Sequence, residues 1–470
     1  MSKLLFLAIP GFDESMAVRL KADLPNFKAI KSDGIWGKMN GAVPPNPVTA
    51  WTSALSGRNP GFFGFWGRCY RDSFVYGEPK TVDGPTKERK VSSLYTMLAN
   101  LGQKVAIVDV PLTTPAPRIP GGYTVSTPLP RSTDNVFTWP KSLADEIRGL
   151  IGDYLFDDSF HAEQRDLVFK KLCEMDGQRL TLVKHFLGKR CDCVIAFLSG
   201  LDRLAHLSNA GEGEPFSSEL REYYQYLDRQ IGDLRLALDS STVLLLASDH
   251  ELDRIDGEVR LNEWLITNGY LSISEYPSEP SALECVQVEW SRTRAWAGNS
   301  GQIYVNLKDR EAEGIVGSSE YESILDELIS RLKGITDEKG SALRAKLFKR
   351  HEIYSGPFSQ YAPDLFVIFE NNRWRCSEKV GFGNGNLCSS TIEFLTGGYG
   401  TEGFFCIAGP GIPPKGEYAG ASLLDLAPTV LDVMDLEIPG EMEGVSVSGK
   451  ERTPEEEEAL VQERLKFLGY

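Results

Sequence analysis

Short apolar runs separated by longer amphipathic segments set the pattern of this chain. The apolar runs cover residues 4–9, 105–110, 194–198 and 243–247. The helix-like segments between them include residues 142–151, 162–186 and 217–238. Continuous apolar runs of this length are typical of parallel strands that are buried on both faces. Their alternation with helical segments predicts an α/β fold, a mostly parallel sheet sandwiched by helices.

The pattern changes after His250, where charged sequence that looks poor in strands extends to about Asn386. We therefore predict a core in residues 1–252 and 387–450, interrupted by an inserted cap region in residues 253–386. Within the cap, residues 320–332 have the periodicity of an amphipathic helix. In the second part of the core we expect a helix over residues 421–434. Near the start of residues 451–470, the run Thr453-Pro-Glu-Glu-Glu-Glu offers an N-cap, a Pro in the first turn and acids at the positive end of a helix. This run predicts a C-terminal surface helix.

Two Asp/His pairs follow two of the predicted strands. Asp202 and His206 come after the third apolar run, and Asp249 and His250 come after the fourth. Ligands of open α/β sheets bind beyond the carboxyl ends of the strands, so both pairs are expected at one edge of the sheet. Two imidazoles and two carboxylates suit Zn, Mn or Fe better than Mg. The pattern indicates a metal site, and a hydrogen-bonded polar cluster without metal is the alternative.

Composition narrows the classes of partner. The net charge of the 470-residue chain is −16, which argues against a nucleic-acid binder because such proteins rely on basic surface. No stretch is long enough to span a membrane, and the first apolar run is shorter than the core of a signal peptide. The eight scattered cysteines favour a reducing, cytoplasmic setting. We expect a small-molecule ligand; the composition does not indicate an oligomeric state.

Several motifs resemble the type I phosphodiesterase/nucleotide pyrophosphatase branch of the alkaline phosphatase superfamily. The segments that carry the resemblance are Ala50-Trp51-Thr52-Ser53, Ser56-Gly57-Arg58-Asn59-Pro60-Gly61, Leu201-Asp202-Arg203-Leu204-Ala205-His206, Ala247-Ser248-Asp249-His250, Ala362-Pro363-Asp364-Leu365 and Leu424-Asp425-Leu426-Ala427-Pro428-Thr429. The resemblance implies an alkaline-phosphatase-like core with an insertion. It also implies two adjacent metal ions, usually zinc, and a Thr or Ser nucleophile that forms a phospho-enzyme.

Four positions depart from the pattern of that family. Pro10 stands where the resemblance places a metal-binding Asp, and Pro47 stands where it places the nucleophile. Phe63 replaces a His, and Tyr399 replaces the later metal-binding His. Proline has no atom that could bind a metal or attack phosphorus. The active site of this chain is therefore expected to be degenerate.

Four residues are candidates for replacing the lost groups. Asp13 follows Pro10 closely and either reaches the site from its loop, or is a solvated loop carboxylate or a helix N-cap. Thr49 lies two residues after Pro47, roughly 200° around a helix, so its hydroxyl should point elsewhere. Glu251 stands where the family usually has Gly, and is either a general base or a solvent-facing side chain. Tyr399 is either a metal-binding or acid–base group, or an aromatic lid over the pocket.

These features leave three hypotheses for function. In the first, Asp202, His206, Asp249 and His250 bind one divalent transition ion, and a second ion is doubtful because each parent site has lost a ligand. The chain is then a metal-dependent enzyme repurposed away from phospho-enzyme hydrolysis and acting on a small molecule, for which a biosynthetic pathway is one setting by analogy of fold. The second hypothesis is a catalytically inactive phosphodiesterase-like binding protein. The third is an active phosphodiesterase whose site is rebuilt by Asp13 or Tyr399.

Overall fold

The computed structural model of the protein describes most of the chain. The described residues are 2–77, 79–82, 91–126, 136–156, 165–207, 217–383, 385, 387–390 and 398–449. The predicted C-terminal surface helix at residues 451–470 lies outside them.

The first part of the chain alternates strands and helices. Its strands are β1 Lys3–Ala8, β2 Gly34–Asn40, β3 Cys69–Tyr70, β4 Lys80–Thr81, β5 Val105–Val108, β6 Tyr123–Val125, β7 Thr138–Trp139, β8 Cys193–Phe197 and β9 Thr242–Ser248. Its helices are α1 Glu14–Arg19, α2 Pro25–Ser32, α3 Pro47–Ala54, α4 Leu94–Asn100, α5 Leu143–Ile151, α6 Arg165–Gly188, α7 Gly200–Leu207 and α8 Ser217–Ala237. The four predicted strands are confirmed as β1, β5, β8 and β9.

The middle and last parts of the chain contain shorter elements. The middle strands are β10 Leu252–Asp253, β11 Gly257–Arg260, β12 Ala295–Ala297, β13 Gln302–Val305, β14 Ala345–Lys349, β15 Leu365–Phe369, β16 Trp374–Ser377 and β17 Cys388–Ser389. The middle helices are α9 Leu261–Thr267, α10 Tyr321–Leu332 and α11 Arg350–Ile353. The last elements are β18 Gly398–Tyr399, β19 Glu402–Ala408, β20 Gly416–Glu417, β21 Ala421–Ser422 and α12 Leu426–Val433.

A ten-stranded sheet forms the core. Its order is β20-β2-β19-β9-β1-β8-β5-β6-β7, with β21 also paired to β2. The central strands β9, β1, β8, β5 and β6 are parallel, and β19 runs antiparallel between β9 and β2. Leu5 and Leu7 of β1 pack into one apolar cluster, while Leu4, Phe6 and Ala8 pack into another on the opposite face. Because both faces are covered, every position of this strand from Leu4 to Ala8 is apolar, which explains the continuous run.

A second sheet lies in the segment that interrupts the core. Its seven strands are ordered β12-β13-β15-β16-β11-β17, with β14 paired to β15. The description of residues 253–386 as strand-poor is therefore wrong, and the last strand of the sheet reaches Ser389. These strands are only two to five residues long, and exposed positions interrupt strands such as β14. Short mixed strands give a weak periodicity, so the sequence pattern did not reveal them.

The helix predicted over residues 421–434 begins later than expected. Ala421 and Ser422 extend the sheet by pairing with β2, and the Ser422 side chain caps a 3₁₀ turn over Leu423–Asp425. The α-helix α12 starts only at Leu426. In the described part of the chain, no helix has the length and apolar character needed to cross a bilayer.

Candidate functional site

The two Asp/His pairs meet at the carboxyl edge of the central strands. Asp202 and His206 lie on α7, directly after β8, and are separated by about one turn so that they share a face of the helix. Asp249 and His250 follow β9 directly. Because β8 and β9 both pair with β1, the sheet brings the two pairs together.

The four side chains form a compact buried cluster. Asp202 Oδ1 lies 3.2 Å from Nε2 of His206 and 3.2 Å from Nε2 of His250. Nδ1 of His250 lies 2.9 Å from Asp249 Oδ1. The fractional exposures of Asp202, Asp249 and His250 are 5%, 3% and 2%. This Asp/His cluster is therefore largely shielded from bulk water.

The charges of the Asp/His cluster depend on one another. Burial alone would raise the pKa of Asp202, but the two imidazoles beside it outweigh burial and hold that pKa well below its usual range. Burial alone would lower the pKa of His250, but Asp249 and Asp202 outweigh burial and raise it to about 10. The cluster thus favours an ionised Asp202 beside a protonated His250.

Asp249 is the least satisfied member of the cluster. Neither of its carboxylate oxygens accepts a hydrogen bond from the described residues, and its contact with His250 Nδ1 does not have hydrogen-bonding geometry. His206 Nε2 also lacks a hydrogen-bond partner within the described residues. The imidazole of His250 at 2.9 Å compensates the charge of this carboxylate without an aligned hydrogen bond, and a bound cation would satisfy its oxygens further.

The donor set fits a transition ion, although the side chains do not surround an open position. Among the described residues, no group of three or more His, Cys, Asp or Glu side chains is arranged as a ready metal site. Asp202 instead contacts both imidazoles directly. An ion bound here would replace those direct contacts, and the two carboxylates and two imidazoles would supply its ligands.

Helix α3 carries Pro47 at the position where the sequence predicts that the nucleophile is missing. The helix begins at Pro47, as the sequence predicts, and the side chain of Asn46 caps it by accepting from the backbone N–H of Val48 at 3.0 Å. Thr49 is fully buried, and its hydroxyl has no hydrogen-bond partner in the described part of the chain. It is not among the described residues that line the cavity beside the Asp/His cluster.

Tyr399 covers the two imidazoles. It lies on β18, which pairs with β10 through Leu252. Its ring meets the rings of His206 and His250 edge-on, with centroid separations of 5.0 and 4.8 Å. Burial and the charge of Asp202 raise the pKa of Tyr399, so its phenol stays neutral near neutral pH. This environment favours the role of a lid over that of a phenolate ligand.

Asp13 and Glu251 face another cavity. Asp13 caps α1, with Oδ1 accepting from the backbone N–H of Ser15 at 2.8 Å and Oδ2 lying 3.4 Å from Arg19. Both carboxylates line a cavity of about 430 Å³ whose described lining does not include the Asp/His cluster. Burial and the charge of Asp13 raise the pKa of Glu251 to about 7. The structure thus brings these two acids together but not to the cluster.

The substituted residues Pro10 and Phe63 are both buried. Pro10 follows β1, and Phe63 packs against Phe65 with a ring separation of 4.5 Å. Neither supplies a polar atom to the site from its side chain.

A cavity of about 440 Å³ opens beside the Asp/His cluster. The described residues that line it are Pro45, Asn46, Arg203, His206, Ser300, Asn372, Arg375, Cys376 and Tyr399. The two arginines make its walls suited to an anion. Arg203 stands within the motif around Asp202 but its role was missed, and Arg375 lies on β16, where no sequence signal pointed to the site. Burial lowers the pKa of Arg375, which nevertheless remains a cation.

Comparison with known proteins decides the family. A sequence model described as type I phosphodiesterase / nucleotide pyrophosphatase matches residues 4–384. The chain belongs to this family. Members of one family share a fold, so this type I phosphodiesterase/nucleotide pyrophosphatase family member should resemble solved structures of its relatives. No curated protein sequence matches the chain.

The solved structures confirm the fold of this family member. Human ectonucleotide pyrophosphatase/phosphodiesterase 5 aligns with a TM-score of 0.56 and 13% identity, covering 93% of this chain and 96% of that chain. An inactive variant of the murine protein in complex with AMP aligns with a TM-score of 0.54, 12% identity and the same coverage. Phosphonoacetate hydrolase from Sinorhizobium meliloti, in complex with phosphonoformate, gives a TM-score of 0.59 and 14% identity over 92% of this chain and 96% of that chain. The predicted alkaline-phosphatase-like α/β fold is confirmed.

Proposed function

We propose that this protein is a metal-dependent enzyme that acts on a small anionic molecule and uses a single divalent transition ion. Asp202, His206, Asp249 and His250 would hold the ion. The observation that carries the proposal is the carboxylate of Asp249, which is buried and accepts no hydrogen bond from the described residues. A bound cation would offset the cost of burying that charge.

The chain's own residues divide the remaining tasks. Arg203 and Arg375 bind and orient the anionic group of the substrate, and the ring of Tyr399 keeps water away from the imidazoles. When bound, the metal ion would supply Lewis acidity that polarises an oxygen of the substrate. Pro47 and the buried Thr49 offer no hydroxyl for covalent catalysis, so the reaction proposed here forms no phospho-enzyme.

The solved relatives support the choice of an anionic substrate. The murine relative was solved with AMP and the bacterial hydrolase with phosphonoformate, which are both anions that contain phosphorus. Two arginines lining the cavity of this chain fit the same ligand chemistry. A phosphate or phosphonate monoanion or dianion is therefore the first ligand class to test.

Metal uptake after chelation tests the proposal directly. Wild-type protein stripped with a chelator and dialysed against Zn²⁺ or Mn²⁺ should take up metal, and Asp249→Ala should lose that uptake. Asp228→Ala is the matched control, because Asp228 is a buried carboxylate that caps α2, remote from the Asp/His cluster. Equal metal content in wild type and Asp249→Ala would refute the single-ion site.

Ligand binding separates an enzyme from a binding protein. Inorganic phosphate and phosphonoformate should bind the metal-loaded wild type in calorimetry, and Arg375→Ala should weaken that binding. Turnover of phosphonate or phosphate esters that requires the ion supports the enzyme. Tight binding without turnover would instead favour the non-catalytic alternative.

A further inference from the structure

A third cavity, of about 420 Å³, lies on the other side of the turn Asn299–Gly301 from the Asp/His cluster. It is formed between the hairpin of β3 and β4 and the strands β12 and β13. Asn299 lines this cavity, whereas the next residue, Ser300, lines the cavity beside the cluster. None of the four cluster residues is among the described residues that line it. We call it the aromatic cavity.

Two stacked pairs of rings form a corner in the aromatic cavity. Tyr76 stacks on Trp290 with ring centroids 3.8 Å apart and planes 3° from parallel. Trp296 stacks on Tyr304 at 5.3 Å. The two pairs meet nearly at right angles, since the planes of Trp290 and Trp296 are inclined by 78°. Trp290 and Trp296 are only half-buried, so this corner presents indole surface to the cavity.

The cations of the aromatic cavity are already paired with acids. Arg71 lies 2.8 Å from Glu311, and Lys80 lies 2.6 Å from Asp72. The guanidinium of Arg71 also lies 5.0 Å from the ring centre of Tyr304, so these rings already attract a positive group of the chain.

Two acids of the aromatic cavity lack such a partner. Glu284 and Glu378 line it, and neither forms an ion pair with a cation among the described residues. The amide of Asn299 can donate to both oxygens of Glu378, at 2.9 and 3.0 Å, but an amide carries no charge. Burial, with the charge of Glu284 adding to it, raises the pKa of Glu378. Among its described lining residues, the cavity therefore has more acids than cations beside exposed aromatic surface.

We propose that the aromatic cavity is a binding site for a small organic cation, with a quaternary or alkylated ammonium group held against the rings of Trp290 and Trp296 and balanced by Glu378. An ammonium group is attracted by the electron-rich faces of aromatic rings, and indole is the most favourable of them. Its charge also relieves the half-buried Glu378 carboxylate. This site does not depend on the proposed metal ion.

The probes for this site are tetramethylammonium and the neutral, similarly sized tert-butanol. Their binding is measured by saturation-transfer NMR on their methyl signals. Tetramethylammonium should bind saturably and at least about tenfold more tightly than tert-butanol, the difference expected for a desolvated cation–π contact. Glu378→Gln and Trp296→Leu should each weaken the binding about tenfold. Glu370→Gln is the control, because Glu370 is a carboxylate of the same sheet region that pairs with Arg344.

The result that would overturn the site is equal binding of both probes, no saturable binding, or unchanged affinity in Glu378→Gln. Asp249→Ala should bind tetramethylammonium like the wild type. If Asp249→Ala binds tetramethylammonium like the wild type, the cation site is independent of the metal site. Failure of one of the two proposals then leaves the other intact.

Discussion

The two carboxylates of the Asp/His cluster have different surroundings, and the difference decides what each can do. Asp202 lies between two imidazoles, which compensate its charge. Asp249 has no hydrogen-bond donor aligned with it in the described residues. The sequence predicts that both pairs share one sheet edge, because the strands before them are unmistakable. It does not predict which carboxylate is left unsatisfied, since that depends on the orientation of side chains.

The same limit applies to Asp13 and Tyr399. An Asp can be either a site carboxylate or a helix cap, and a Tyr can be either a metal-binding group or a lid. The residue type does not distinguish these roles, so they follow only from the surroundings of each side chain. Asp13 caps α1 and faces another cavity, while Tyr399 packs edge-on against both imidazoles. Pro47 is the opposite case, because its lack of an N–H suits only a few positions, so the start of α3 follows from the sequence.

Tyr399→Phe distinguishes a lid from a metal ligand at the scale of one atom. Since the pKa of Tyr399 is raised, the hydroxyl is neutral near neutral pH and is a poor ligand. We expect Tyr399→Phe to keep the metal content of the wild type, measured by elemental analysis after reconstitution. A loss of about half or more of the metal in this variant would show that the phenol oxygen is a ligand.

At the scale of elements, helix α7 is fixed by a buried acid outside the Asp/His cluster. Asp176 on α6 accepts from the backbone N–H of Gly200, the first residue of α7, at 3.2 Å and from the Tyr223 hydroxyl at 2.7 Å. Its other oxygen has no partner in the described residues. Burial raises the pKa of Asp176 to about 7, from 3.8. The anchor of the helix that carries Asp202 is therefore costly to ionise.

This raised pKa predicts a pH dependence of stability. An acid whose pKa is higher in the folded protein contributes stability that is complete below the unfolded value and is lost as the pH rises through the folded value. Ionisation of Asp176 should thus reduce the free energy of unfolding between about pH 4 and about pH 7. Asp176→Asn keeps an acceptor for Gly200 but removes this titration.

Urea denaturation of wild type and Asp176→Asn at about pH 5 and about pH 8 measures the effect. The advantage of Asp176→Asn over the wild type should grow by about 2–3 kcal/mol between the two pH values. Titrating groups common to both proteins cancel in the difference. If the stability difference between Asp176→Asn and the wild type does not change with pH, Asp176 is not a buried acid whose ionisation destabilises the fold.

The elements also show where sequence patterns stop being informative. The strands β1, β5, β8 and β9 were predicted because both of their faces are covered and their central positions are apolar. In the second sheet, β13 and β15 are both buried at every position, but β13 begins with the polar Gln302, so β15 is the clearer apolar run, and this signal was missed. The other strands of this sheet have two to five residues, and most of them include half-buried or exposed positions, so their alternation is not distinguishable from that of loops.

At the scale of the whole molecule, a buried ion pair joins the hairpin of β3 and β4 to the segment between β13 and β14. Arg71 follows β3, and Glu311 lies in the segment between β13 and β14, with its side chain fully buried. Arg310 also contacts Glu311, at 2.9 Å. Burial raises the pKa of Glu311 even with both arginines beside it. Loss of Arg71 would leave this carboxylate poorly compensated.

Arg71→Met should therefore lower the free energy of unfolding by about 2–4 kcal/mol, somewhat less than the roughly 3–5 kcal/mol for breaking a buried pair from one side, because Arg310 still contacts Glu311. Arg344→Met is the control, because Arg344 is 85% exposed in its pair with Glu370 and should cost less than about 1 kcal/mol. Chemical denaturation of the two variants gives both values. Equal small losses would mean that the pair does not hold the two parts together.

The number of metal ions per molecule tests the central claim most directly. Elemental analysis of the purified wild-type protein, before and after chelation and reconstitution, should find about one equivalent of a transition metal, matching the single set of two carboxylates and two imidazoles. Two equivalents would contradict the single-ion account and point to a rebuilt two-metal phosphodiesterase site. No metal, with no uptake on reconstitution, would contradict the metal-dependent function altogether.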